Sequence, residues 1–172
     1  SHQSFASRQR IRDFRGDSDN QVIWFTDVDA GPEFDQTPEA FEVMDEWMTN
    51  ILEHPELGVA ANKPERAVDR CFGADGEEIA AGEDVWGGIL DDGALGTCAA
   101  MFPVYGTSRI VAGGPFKGSI FKCHLKPVAQ AIADGDYGVW TPDPTEQFML
   151  HQIFPDGVCD FSLPDVGLPA GW

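Results

Sequence analysis

At 172 residues, with 42% apolar and 11% aromatic side chains, the chain is long enough to bury a real core. Its 29 Asp and Glu against 11 Lys and Arg leave a net charge of −18. Without a Lys/Arg stripe to neutralise phosphates, that charge excludes nucleic-acid binding. No apolar run approaches the ~20 residues of a membrane span.

In chain order, residues 4–15 read as a short helix, with Phe5, Ile11 and Phe14 on one side and Arg8, Arg10, Arg12 and Arg15 as the densest positive charge. Gly16 ends it, and the tripeptide Arg15-Gly16-Asp17 is read as chance rather than an adhesion motif. Residues 21–28 (QVIWFTDV) are a nearly continuous β-branched and aromatic run, the pattern of a strand buried on both faces of a parallel sheet. A single strand makes no sheet, so its partners must come from elsewhere. Thr37 as N-cap and Pro38 at the first helical position then start a helix over 37–53. Its apolar side is Ala40, Phe41, Met44, Trp47, Met48, Ile51 and Leu52, with acidic residues facing away.

Beyond about residue 55 glycines punctuate the chain and periodicity weakens, which predicts short strands and loops. Asp143-Pro144-Thr145-Glu146 is close to a capping box and predicts a helix through Ile153, stopped by Pro155. The tail from Ser162 to Trp172 is expected to lie extended.

Cys71, Cys98, Cys123 and Cys159 stand alone rather than in the short pairs of a zinc site. An even, dispersed set suits two disulfides, which persist outside the cytosol. Sequence order favours Cys71–Cys98 and Cys123–Cys159 among the three connectivities that four cysteines permit. The expected location is therefore secreted or periplasmic. Ser1-His2-Gln3-Ser4 lacks the basic head and apolar stretch of a signal peptide, so this start is expected to follow processing or to lie inside something longer.

Asp27, Asp29, Glu33 and Asp35 crowd the loop after the strand at 21–28, where ligands of open α/β sheets bind. Their oxygens suit a divalent cation such as calcium, but the spacing is not that of an EF-hand, and no metal or other cofactor is expected. His54, His124 and His151 read as structural or surface residues. Ser1 as an N-terminal nucleophile is disfavoured, because such hydrolases begin with a strand and this chain begins with a helix.

One set of phrases carries a resemblance: His2-Gln3-Ser4-Phe5 with Arg8 and Arg10, Trp24 through Gly31, Asp69-Arg70-Cys71, Cys98 through Pro103, Lys122 through Pro127, and Ile153 through Asp160. Through them the whole chain resembles the C-terminal part of an exported bacterial family of unassigned function, itself distantly similar to tannase and feruloyl-esterase α/β-hydrolases. The resemblance implies an α/β fold. Residues 1–55 would be the terminal αβα part of a hydrolase-like sheet, and residues 56–172 a loop-rich, disulfide-stapled, Gly/Pro-rich cap region. It implies a serine nucleophile in a Gly-x-Ser-x-Gly elbow, supplied by an upstream segment or a companion chain. This chain has no such elbow; Lys117-Gly118-Ser119-Ile120 is as near as it comes.

The loop after the last strand, which in such enzymes carries the catalytic histidine, reads Asp27-Val28-Asp29-Ala30-Gly31 here. His2 is the nearby imidazole, a candidate general base with Asp29 or Asp27 as orienting acid. The expectation is thus ester hydrolysis by a protein of which this chain alone is inactive. The alternative is a non-catalytic secreted acidic module that binds or builds structure, using exposed aromatics such as Trp86, Trp140 and Trp172.

Overall fold

The computed structural model of the chain describes residues 2–27, 34–91 and 93–167. They form two compact units, Ser1–Tyr105 and Gly106–Trp172.

The first unit opens with α1 (His2–Arg15). Gly16, at φ +89°, ends it as expected, its N–H returning to the Arg12 carbonyl at 2.8 Å. Strand β1 (Trp24–Thr26) is shorter than the apolar run that contains it. It is followed by α2 (Thr37–Glu53), a 3₁₀ turn at Pro55–Leu57 and the single turn α3 (Gly58–Ala61). The start of α2 differs in detail from expectation. Gln36, not Thr37, occupies the N-cap position, and the Asp35 carboxylate accepts the Thr37 N–H at 2.9 Å. The Thr37 side-chain and backbone hydrogen bonds hold the Asp35 carboxyl below its ordinary pKa.

Strands β2 (Arg70–Phe72) and β3 (Glu78–Ala81) complete a sheet of order β1-β2-β3, and α4 (Thr97–Met101) follows. β1 and β2 are parallel, with Phe25 opposite Cys71, while β3 runs antiparallel to β2. A partner for the strand at 21–28 therefore comes from this chain, from a stretch whose three-residue strand leaves no periodic signal. The packing runs across residue 55, since β1 is hydrogen-bonded to a strand from the segment expected to be a cap.

Alternation along the strands sorts side chains to two faces. Phe25 points to α1, where Phe5, Trp86 and Phe102 join it, with ring centroids 4.9–6.4 Å from its own. Cys71 shares that face and is bonded to Cys98 of α4, both fully buried. Trp24, Thr26, Arg70 and Phe72 occupy the other face. There Arg70 stacks over Trp24 at 5.0 Å and bonds Glu39 of α2 at 3.1 Å. Helices thus cover both faces of a short, parallel-led sheet, an α/β layering. Gly96 is required where the chain turns into α4: a Cβ there would meet the Asp84 carbonyl oxygen at 2.1 Å.

The expected apolar face of α2 is only half used. Ala40, Trp47 and Ile51 are half-buried beside Val43, which lies outside the expected face, but Phe41, Met44, Met48 and Leu52 are 53–77% exposed. The C-terminal end of α2 is tied down instead by polar bonds. Trp47 donates to the Val59 carbonyl at 2.7 Å, and buried Asn62 bridges the His54 and Gly58 carbonyls.

The second unit contains α5 (Ser108–Val111), β4 (His124–Lys126), α6 (Val128–Ala133), α7 (Pro144–Ile153) and β5 (Val158–Asp160). The capping box forms as expected: Asp143 accepts the Thr145 and Glu146 N–H groups while Glu146 accepts that of Asp143. β4 and β5 pair antiparallel, with Leu125 opposite Cys159, and the Cys123–Cys159 disulfide closes them. Both cysteine pairs follow sequence order. Among the described residues of this unit the buried apolar side chains are few: Val128, Ala131 and Pro142. Cross-links replace a core: Lys126 Nζ lies 2.5 Å from Asp136 and 3.1 Å from Asp134, and Arg109 donates to the Ile120 and Phe121 carbonyls.

Candidate functional site

The candidate site belongs to the rim at the C-terminal end of β1. Three contacts order α1 against the strand that follows it. Phe5 meets Phe25, Arg8 bonds Gln21, and Arg12 bonds Ser18. Rising numbers on the helix meet falling numbers on the following chain, so α1 runs antiparallel to β1. His2, nearly one turn before Phe5, lies toward the Asp27 end and is half-buried. Asp27 itself is engaged, its N–H donating to the Phe72 carbonyl at 3.1 Å. Asp29, Glu33 and Ser1 lie outside the described residues, as does Trp172. Asp35, the remaining acidic member of the loop, is committed to the start of α2.

What anchors this arrangement is a buried ion pair that composition does not suggest. The Arg8 guanidinium donates to both Asp69 carboxylate oxygens, at 2.5 and 2.8 Å, and each side chain is under 10% exposed. Asp69 also accepts the Ile23 N–H at 2.7 Å, and Arg8 reaches the Gln21 side chain at 3.2 Å. One carboxylate therefore ties α1 to the segments entering β1 and β2. The two partners are 61 residues apart, so no local pattern links them. Both nevertheless fall inside phrases that carry the family resemblance.

That pair also floors a groove of about 610 Å³, lined by Arg12, Lys63, Glu83 and Asp84 among others. The groove sits where the chain enters β1 and β2, the opposite end from His2. Its charges are of both signs and favour no one class of ligand.

The remaining candidates are dispersed. His54 follows α2, with Nδ1 3.8 Å from Glu56. His124 stands opposite Asp160 across β4 and β5, and His151 is exposed on α7. Ser119 is exposed in a loop between α5 and β4, with no strand-turn-helix around it. Trp86, one of the aromatics named for the binding alternative, is 5% exposed: its ring fills the core beside Phe5 and Phe25, and its indole N–H bonds the Ile23 carbonyl. Trp140 is 44% exposed and stacks edge-on to Tyr137. Among the described residues no three His, Cys, Asp or Glu side chains gather as a metal site needs. No helix among them is long and apolar enough to cross a membrane.

Fold and cross-links define an α/β unit followed by a small disulfide-stapled unit. The chain belongs to the tannase-like family of unknown function (DUF6351), whose model matches residues 1–170. No curated protein and no solved structure matches it.

Proposed function

We propose that this chain is the C-terminal part of a secreted or periplasmic α/β-hydrolase-like protein that cleaves esters by acyl transfer. The serine nucleophile comes from an upstream segment or a companion chain. His2 takes the serine proton and returns it to the leaving alcohol, and Asp29 holds the imidazole tautomer. Residues 1–55 would then be the terminal αβα part of the hydrolase sheet; within 56–172, β2 and β3 extend that sheet and the remainder forms the cap.

The observation that carries this reading is the antiparallel run of α1 along β1, which directs His2 to the strand end where α/β folds bind ligands. Membership of a tannase-like family of unknown function supports a distant hydrolase-like relation, and two disulfides suit an oxidising compartment. The test is hydrolysis of a feruloyl or nitrophenyl ester by the protein as its host makes it. His2→Ala is expected to lower kcat by ~10⁴ or more, as loss of a triad member does, with little change in KM or unfolding temperature. An unchanged kcat refutes the role of His2. Ester hydrolysis absent from the parent refutes the activity.

A second reading is a non-catalytic acidic binding module. It draws support from Trp140, which offers an exposed ring beside Tyr137.

A further inference from the structure

The sheet stops at β1 in a way that suits continuation. In a parallel strand alternate residues turn both N–H and C=O to one side. The Ile23 carbonyl and the Asp27 N–H are bonded to Arg70 and Phe72 of β2. Trp24 and Thr26 therefore face the opposite edge, where the sheet has no further strand among the described residues. Edge strands are ordinarily guarded by lysine, proline or a bulge. The Trp24-Phe25-Thr26 stretch carries none of these guards, and its residues suit a strand flanked on both sides.

The rotation of α2 supplies the second observation. Arg70 of β2 holds Glu39 at 3.1 Å, and Arg66 holds Glu46 at 2.7 Å, so these glutamates mark the flank turned to β2. At 3.6 residues per turn, Phe41, Met44, Met48 and Leu52 fall about half a turn away, on the other flank. Because α2 connects β1 to β2 and lies over that pair, this flank overhangs the open edge of β1. The four side chains are 53–77% exposed. Together they offer on the order of 500 Å² of largely apolar surface, in the range of the largest patch on an ordinary monomer, which is often a functional one.

The geometry points to a single docking face, made of the open β1 edge and the Phe41/Met44/Met48/Leu52 stripe, whose occupant is a further βα layer: a strand parallel to β1 with an apolar helix beside α2. A second copy of this chain is the poorer occupant, because each carries a net charge of −18 and the copies repel. The inference names where the partner of the proposed hydrolase attaches, yet it does not depend on ester chemistry.

The test uses the protein as its host makes it, with benzoylphenylalanine in place of exposed Met48, and the 172-residue chain as comparison. The expected results are a photo-cross-link to a helix of an α/β body and hydrogen exchange at the Trp24 and Thr26 amides slowed at least ~100-fold relative to the chain alone. A cross-link to α2 of a second copy, no cross-link, or equally fast exchange in both preparations overturns it. A docked body without a reactive serine removes the hydrolase reading and leaves the docking face standing.

Discussion

The Arg8–Asp69 pair makes a quantitative demand on the first unit. Both side chains are under 10% exposed, and the guanidinium and carboxylate meet at 2.5 and 2.8 Å. Truncating one partner leaves the other charged, buried and unpaired, at a cost of ~3–5 kcal/mol. Asp69→Ala adds the loss of the Ile23 N–H acceptor, so it should be the more damaging change. In a unit of this size each kcal/mol moves Tm by ~4–8 °C, so Arg8→Ala should lower Tm by roughly 12 °C or more. Urea titration followed by tryptophan fluorescence reads this, since Trp24, Trp47 and Trp86 all lie in the first unit. The double change Arg8→Met, Asp69→Leu removes both charges together and should recover much of the loss. An Arg8→Ala protein within ~1 kcal/mol of its parent would refute the reasoning, because that is the range of a solvent-screened pair.

Three further outcomes follow from the second unit and its cross-links. Cys123→Ser with Cys159→Ser should unfold residues 106–172 at temperatures where the first unit persists, seen as selective loss of amide protection, because among its described residues few apolar side chains, chiefly Val128, Ala131 and Pro142, are buried. Asp134, Asp160 and Asp165 have lowered pKa values, caused first by hydrogen bonds from Gln130, from the Ser162 hydroxyl and from the Lys122 N–H respectively. Their contribution is complete above the unfolded value near ~4 and is lost as pH falls through the folded values. Lys126, raised first by Asp136, contributes below its unfolded value near ~10.4 and loses that as pH climbs through the folded one. The second unit should therefore melt earlier both below pH ~4 and above pH ~10.4, and a flat stability profile across either limit would contradict this. Asp143→Ala removes the acceptor of two N–H bonds at the start of α7 and should cost ~1 kcal/mol in urea titration, with Asp143→Asn retaining most of it.

What the sequence makes legible follows the range of the interactions involved. The bounds of α2 and the box at Asp143 and Glu146 rest on neighbours within four residues, and both stand in the structure. The order of the cysteine pairs is legible because short loops close most readily. β2 and β3 are not: strands of three and four residues carry too little alternation to signal themselves. Arg8–Asp69 escapes because each charge reads locally as surface, and only the fold brings them together. Trp86, named for the alternative of a binding module, belongs to the core instead, packed by Phe5 and Phe25. The exposed half of α2 misleads in the opposite direction, since an apolar stripe reads as core whether or not the layer that covers it is in the same stretch of chain.

The most direct test of the central claim is fluorophosphonate labelling of the protein as its host makes it, read by denaturing mass spectrometry without reduction. The account predicts a labelled serine outside this 172-residue sequence, on a longer parent or on a chain bound to it. No labelled serine, with an intact mass near 18.8 kDa and both disulfides present, would contradict it and leave a stapled acidic module.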